Sequence, residues 1–382
     1  MKISDVRVRA VQVNHRGNWL FVEIHTDKGL VGIGEASHAT GAVVTVAGTG
    51  AGKPGDRALV ATIADLRPQL IGRDTFEIEA LFGKLARPNA GMVTWTALSA
   101  IEQALWDLAG QAAGVPTYQL LGGRCVPAVR LYANINRAIP NRDSVAYADC
   151  ARQAVEEGFR TIKCAPFDDV SWRTLDHPEG RAAYDRGLER VRRVREAIGS
   201  DIELAVDCHN RFDVPTARRV AHDLAPLRLY WIEAPIPLED PAPLLQIKAS
   251  LDTRLAAGEE LLGRVANRPY FEAHALDVVM FDVKHTGGLL EGKKIAAMAE
   301  AYGIAASPHS PAGPVASVAA GHLCATLPNF LTLEYAWGEV PWRADLLDGT
   351  EEIREGCLIL SDRPGLGIRL NERVLAEHAI EL

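Results

Sequence analysis

Residues 203–260 read ELAVDCHNRFDVPTARRVAHDLAPLRLYWIEAPIPLEDPAPLLQIKASLDTRLAAGEE. Three short apolar runs in this stretch each end in a carboxylate, and Asp207, Glu233 and Glu259 follow one another at 26-residue steps. Each step has room for a loop, a helix and a second loop. The interval continues downstream, where Asp282, His309 and Glu334 close further apolar runs after gaps of 23, 27 and 25 residues. Strands joined by helical crossovers give this period, and a barrel of such units gathers the C-terminal ends of its strands around one cavity. Scattered polar residues would not fall at strand ends six times in succession.

Upstream, runs at 128–135 and 159–164 bring the candidate strands to eight, with 202–207, 228–233, 254–259, 276–282, 303–309 and 329–334. Helical segments lie between most of them, which favours a barrel over an open sheet. The interval from Lys163 to Asp207 is long and carries a polar insertion, FDDVSWRTLDHPEGRAAYDRG (167–187), expected as an ordered excursion over the barrel mouth. Before the barrel the pattern differs. Leu20, Val22 and Ile24 alternate, Asp27-Lys28-Gly29 turns, and LVGIGEA returns, so residues 1–36 read as antiparallel strands. Residues 41–56 are Gly-rich and are expected as a loop. They lack the P-loop spacing, with no Ser or Thr after the Lys. In 57–115 the stripe Leu98, Ile101, Leu105, Leu108 marks a buried helix that Gly114-Val115-Pro116 ends. The division expected is an α+β domain over 1–125, completed by about 346–382, and a barrel domain over 126–345.

The whole chain, 382 residues with 48% hydrophobic and 24% charged, has room for a real core in both parts. A net charge of −8, from 41 basic and 49 acidic residues, argues against a general nucleic-acid surface. It also requires any anion site to be positive locally. No run of about 18 apolar residues offers a membrane span, and the alternating N-terminus lacks a signal-peptide core. The six cysteines show no C-x-x-C pairing, which fits reduced thiols in a cytoplasmic protein.

Asp207, Glu233 and Glu259 on adjacent strands form an all-oxygen set that suits Mg²⁺. Glu260 follows directly and is expected to face the other way. Asp282 one unit before His309 makes a dyad in which the carboxylate orients the imidazole and raises its basicity, as a general base needs. Lys163 ends the second strand and can bind a carboxylate or act as a base. His209, two residues past Asp207, shares its face and is a candidate general acid. Glu334, if protonated, could donate to a developing enolate oxygen.

These residues resemble the enolase superfamily, in its mandelate-racemase-like subgroup. The resemblance rests on TALSAIEQALWDLAGQAAGVPTYQLLGG (96–123), LAVDCHN, YWIEAP, LAAGEE, FDVKHTGG, KKIAAMAEAYGI, SPHSPAGPV and PGLGI, in that order. It implies a (β/α)7β modified TIM barrel under an N-terminal α+β capping domain, one Mg²⁺ per subunit, and removal by His309 with Asp282 of a proton α to a carboxylate. The superfamily's pairing of a Lys or His base with Mg²⁺ is a stock example of enolate chemistry. The resemblance also implies a homo-oligomer, with an octamer suggested. One departure narrows the reaction. Racemases of the subgroup use a second base from the latter Lys of K-x-K, where this chain reads Lys163-Cys164-Ala165. The sequence Asp207-Cys208-His209, with His285 ahead of Gly287-Gly288, is similar to the galactonate dehydratases. It implies an Mg²⁺-dependent acid-sugar dehydratase in which His209 protonates the leaving β-hydroxyl. His15, Trp19 and His285 are expected near the sugar-acid substrate. The rivals are an epimerase or cycloisomerase using the same enolate, and a non-catalytic small-molecule-binding barrel.

Overall fold

The structure is a computed structural model that describes residues 1–14, 17–37, 54–86, 90–349 and 351–382. The cap begins with three antiparallel strands, β1 (Ile3–Asn14), β2 (Gly17–Thr26) and β3 (Val31–Glu35), followed by helices α1 (Pro54–Leu70), α2 (Ile78–Leu85), α3 (Met92–Ala113) and α4 (Thr117–Leu120). The loop expected at 41–56 yields to helix at Pro54, and the rest of it lies outside the described residues. Strand β2 is buried on both faces. Leu20, Val22 and Ile24 pack with the cap helices, and Trp19 and Phe21 pack with the barrel's outer core. Strand β3 lies directly on α3. A Cβ on Gly32 or Gly34 would stand 2.2 Å or 2.0 Å from the carbonyl oxygens of Ala104 and Ala100, so only glycine permits this approach.

The barrel follows as β4 (Val129–Asn134), α5 (Ser144–Glu156), β5 (Thr161–Cys164), α6 (Pro178–Ile198), β6 (Glu203–Asp207), α7 (Val214–Leu224), β7 (Trp231–Glu233), α8 (Pro241–Lys248), β8 (Arg254–Ala257), α9 (Gly263–Glu272), β9 (Val278–Val279), α10 (Gly288–Ala301), β10 (Ala305–Ala306), α11 (Pro314–Cys324) and β11 (Leu333–Ala336). Neighbours from β4 to β10 pair in parallel, β11 pairs in parallel with β4, and bonds between Ala306 and the 329–331 backbone close the ring. Seven helices serve eight strands. The last strand leads instead to β12 (Leu347–Asp348), β13 (Glu352–Arg354), β14 (Cys357–Ile359), β15 (Arg369–Leu370) and α12 (Glu372–His378).

Sequence alone assigned this tail to the cap, but it divides. Strand β14 pairs with β4 of the barrel, while Arg9 of the cap bonds to Glu372 and the Ile380 N–H donates to Ala10. The insertion also divides, since α6 takes up its second half from Pro178.

Inside the barrel, the two-residue strand period stacks an apolar floor under the strand ends. Tyr132, Ala205, Trp231, Ala256, Val278 and Met280 form it, with the Tyr132 and Trp231 rings edge to face at 5.3 Å. Asn134, Asp207 and Glu233 lie two residues beyond Tyr132, Ala205 and Trp231, which puts them on the same face one layer higher. Among the described residues, no helix is long and apolar enough to cross a membrane.

Cap, barrel and tail meet at His322 on α11. Its Nδ1 accepts from the Tyr118 N–H at 3.1 Å, so Nε2 carries the proton and donates to Leu366 O at 3.2 Å. This bonding needs a neutral ring, and burial pulls the imidazole from its ordinary 6.5 down to about 4. The folded state therefore binds fewer protons here than the unfolded chain. The contribution is whole above 6.5 and is lost as pH falls through about 4. Thermal unfolding of His322→Gln between pH 7 and 4 is expected to decline less steeply than that of the wild type. Glu102 and Asp107, raised by burial to about 7 and about 6, titrate in both proteins and drop out of the difference. Parallel declines would show that the ring is not the acid-sensitive joint.

Candidate active site

Four carboxylates and one ammonium fill the space above the floor. Lys163 Nζ lies 2.8 Å from Glu233 Oε1, 2.8 Å from Glu334 Oε1 and 3.3 Å from Asp207 Oδ2. Burial alone would lower the Lys163 amine, but Glu233 and Glu334 outweigh it and hold the ammonium well above its usual range. Burial opposes ionisation of Asp207 too, but His209 and Lys163 hold it well below the carboxylate range. Glu233 moves the other way, to about 8, through burial and the charge of Asp207. Glu334, despite burial, is held at about 2, chiefly by Lys163. It accepts from Asn134 at 2.6 Å and from the Ser310 N–H at 3.0 Å. Glu334 is thus ionised and accepts, where the sequence left open a protonated donor.

Two imidazoles flank this ring. His309 Nδ1–H donates to Asp282 Oδ2 at 2.7 Å, and Nε2 lies 2.9 Å from Glu259 Oε2. The backbones of residues 282 and 309 form a parallel bridge, which sets the dyad in register. Burial works against the imidazolium, yet Glu259 and Glu334 raise His309 to about 10. His209 repeats the pattern. Its Nδ1–H donates to Asp168 Oδ1 at 2.5 Å, and its Nε2 lies 3.0 Å from Asp207 Oδ2. The backbone is left-handed at His209 (φ 44°), Asn210 (58°) and Ala234 (41°), directly past two of the strand-end carboxylates. Such conformations cluster where side chains must be aimed against local preference. His309 and Glu259 remain 17% and 20% exposed while Lys163 is 1%, so the site opens on the histidine side.

The structure also supplies residues that spacing missed. Asp168, from the insertion, is paired with Arg142 at 3.1 Å and would have needed a long-range contact to find. Lys284 is buried, and its ammonium bonds to the same Asp282 oxygen as His309. Its place two residues past Asp282 was the available signal. Asn134 holds the strand-end position of β4. Glu260, expected to face away, is exposed at the rim, with its carboxyl bonded to Asn210.

Two expected substrate contacts are corrected. His285 is buried, its Nδ1 lies 2.8 Å from Thr96 Oγ1 of α3, and burial lowers it to about 3. The 285 and 286 N–H groups both bond to Asp282 O, so the chain turns and strand alternation stops there. Trp19 is fully buried between cap and tail, 5.2 Å edge to face with Trp342. His15 lies outside the described residues.

Among the described residues, no group of three or more His, Cys, Asp or Glu side chains is already arranged to hold a metal ion. Lys163 and His309 are the groups that Glu233 and Glu259 bond instead. The donor set nonetheless fits a hard dication. Asp207, Glu233 and Glu259 are oxygen ligands at the ends of adjacent strands, as such an ion requires.

Models of two domain families match the chain. The mandelate racemase/muconate lactonizing enzyme N-terminal domain covers residues 3–122, and the enolase C-terminal domain-like family covers 146–374. The chain belongs to the mandelate racemase/muconate lactonizing enzyme family. Among its relatives, the D-xylonate dehydratase of Haloferax volcanii is 30% identical, over 100% of this chain and 89% of that protein. The D-galactonate dehydratase of Pectobacterium atrosepticum is 32% identical over 94% of this chain and 91% of its own. A solved mandelate racemase/muconate lactonizing enzyme-like protein from Rubrobacter xylanophilus superposes with TM-score 0.86 at 34% identity, covering 100% and 98% of the two chains. The barrel and cap read from the sequence are the fold of this family.

Proposed function

We propose that the chain is a hydro-lyase that removes water from a sugar acid. The observation that carries this reading is the pair of imidazoles past the ends of separate strands, each fixed at Nδ1 by a carboxylate and each turning Nε2 to one ring of acids. Elimination of water across two carbons needs one group to take a proton and another to give one. His309, once Nε2 parts from Glu259 and releases to solvent the proton that this carboxylate holds there, takes the proton α to the substrate carboxylate. The electron pair of that C–H bond moves into the carboxylate as an ene-diolate. Its collapse breaks the bond to the β-oxygen, and His209 gives that oxygen a proton so that it leaves as water. The enol left behind tautomerises to a 2-keto-3-deoxy acid.

Asp207, Glu233 and Glu259 would hold Mg²⁺. When bound, it supplies positive charge to the substrate carboxylate as that group gains negative charge. Lys163 adds a fixed ammonium to the same region. The two relatives named above are dehydratases of D-xylonate and D-galactonate, and a further relative, 31% identical over 85% of this chain and 65% of its own, is the D-gluconate dehydratase of Thermoproteus tenax, which supports a sugar acid as substrate. The family likeness also supports a homo-oligomer.

The test is a sugar-acid library that includes those three, incubated with Mg²⁺ and read by semicarbazone absorbance of 2-keto-3-deoxy products. A hit names the substrate. Uptake of deuterium from D₂O without loss of water would instead sink the dehydratase and favour an epimerase or cycloisomerase that uses the same enolate.

A further inference from the structure

His309 sits at the start of an eight-residue run, 309–316, to the first turn of α11, and three separate parts of the molecule grip that run. Glu334 of the barrel accepts from the Ser310 N–H at 3.0 Å. Arg343 of the tail donates to Ala312 O at 2.5 Å. The third grip comes from the cap, where the Glu35 carboxylate accepts from the Gly313 N–H at 2.7 Å and the Ala316 N–H at 2.9 Å.

The third grip has the form of a helix cap supplied from 278 residues away. Gly313 occupies the N-cap position of α11 and has no side chain to accept the orphan N–H groups of the first turn. Glu35 takes that role, one carboxyl oxygen accepting from each N–H. The glycine is also a space requirement, since a Cβ at 313 would stand 2.8 Å from both Glu35 oxygens. Glu35 is itself rigid. It is fully buried, Ser37 Oγ donates to it at 2.6 Å, and its backbone N–H donates to Gln103 of α3 at 3.1 Å. Lys284, which bonds to the carboxylate holding His309 Nδ1, acts on Glu35 in turn, its positive charge opposing the rise that burial causes there.

We propose that Glu35 is a positioning residue for His309, through which the docked cap sets where the base stands. The proposal rests on the reading of His309 as the base. Nothing in Glu35 touches the reacting atoms, so its effect falls on the rate of proton removal rather than on substrate binding. A displacement of about 1 Å of a reacting group can cost on the order of 100-fold.

The test compares Glu35→Ala, the isosteric Glu35→Gln and Asp107→Asn. Asp107 also joins cap to tail, accepting from the Ile33 and Leu366 N–H groups, but has no bond to the 309–316 run. Deuterium exchange of the α-proton of D-xylonate, D-galactonate and D-gluconate gives kcat and KM. Backbone hydrogen exchange of 310–316 reads the grip without any substrate. Glu35→Ala is expected to lose about 100-fold in kcat with KM little changed, and to lose protection at 310–316. Glu35→Gln, which keeps one acceptor oxygen, is expected to recover part of both. Asp107→Asn is expected to lower the unfolding temperature and leave both readouts near wild type. Normal protection and normal kcat in Glu35→Ala would overturn the proposal, as would an equal kcat loss in Asp107→Asn. Should His309 prove not to be the base, the proposal fails through His309→Asn, whatever the exchange at 310–316 shows.

Discussion

Replacing His309 by Asn is expected to stop exchange of the substrate α-proton with solvent, with a loss on the order of 10³-fold or more in rate. Asn retains an N–H where Nδ1 donates to Asp282, so the buried carboxylate keeps that partner as well as Lys284. It carries no atom in the place of Nε2, the one position that can receive the proton. The His309 backbone N–H bond to Phe281 O and the grips at Ser310, Ala312 and Gly313 do not involve the ring, so folding should be spared. Proton NMR in D₂O reads the exchange, and thermal unfolding with Mg²⁺ titration checks that the protein and its carboxylates are intact. Exchange that persists near the wild-type rate would move the base elsewhere, with Lys163 the next candidate. That candidate is weaker as it stands, because two carboxylates at 2.8 Å keep the amine charged.

The barrel was legible because its units repeat. Strand, loop and helix return at a near-constant length, and the strand period puts the last residue of each run at the cavity. Asp207, Glu233, Asp282, His309 and Glu334 follow from that register, as does Lys163. Asp168 does not, because it lies in a loop where no period operates and only the folded path of the insertion brings it to His209. Glu35 is hidden for a related reason. Its partners are backbone N–H groups on another domain, and a backbone group leaves no mark in a sequence. The two corrected residues show the converse. His285 and Trp19 have the chemistry of sugar contacts, but residue type says nothing of depth. His285 follows the turn that starts at Asp282 and is buried against Thr96 of the cap, and Trp19 sits on the strand face that the barrel covers.

Replacing His209 by Asn should separate the two halves of the reaction. Loss of the acid leaves the β-hydroxyl to depart as hydroxide, which is expected to cost about 10²–10⁴-fold in product formation. The step at His309 comes first and does not use His209, so α-proton exchange should continue and outrun dehydration. Asn suits the site for a backbone reason. Residue 209 holds φ at 44°, and Asn is among the few L-residues that enter the left-handed region readily. The variant should therefore fold, and the backbone N–H bond from residue 209 to Asp207 should persist. Asp168→Asn is the companion experiment. It keeps the imidazole but offers Nδ1–H a neutral acceptor, and it leaves Arg142 without its anionic partner. A smaller loss of dehydration is expected there, again with exchange retained. Equal loss of exchange and dehydration in His209→Asn would mean that the two steps are not separable. His209 would then be serving the carboxylate ring through Asp207 rather than donating a proton. Normal product formation would remove it from the chemistry and move the choice of acid to the rim, where burial and Glu259 raise the Glu260 carboxyl.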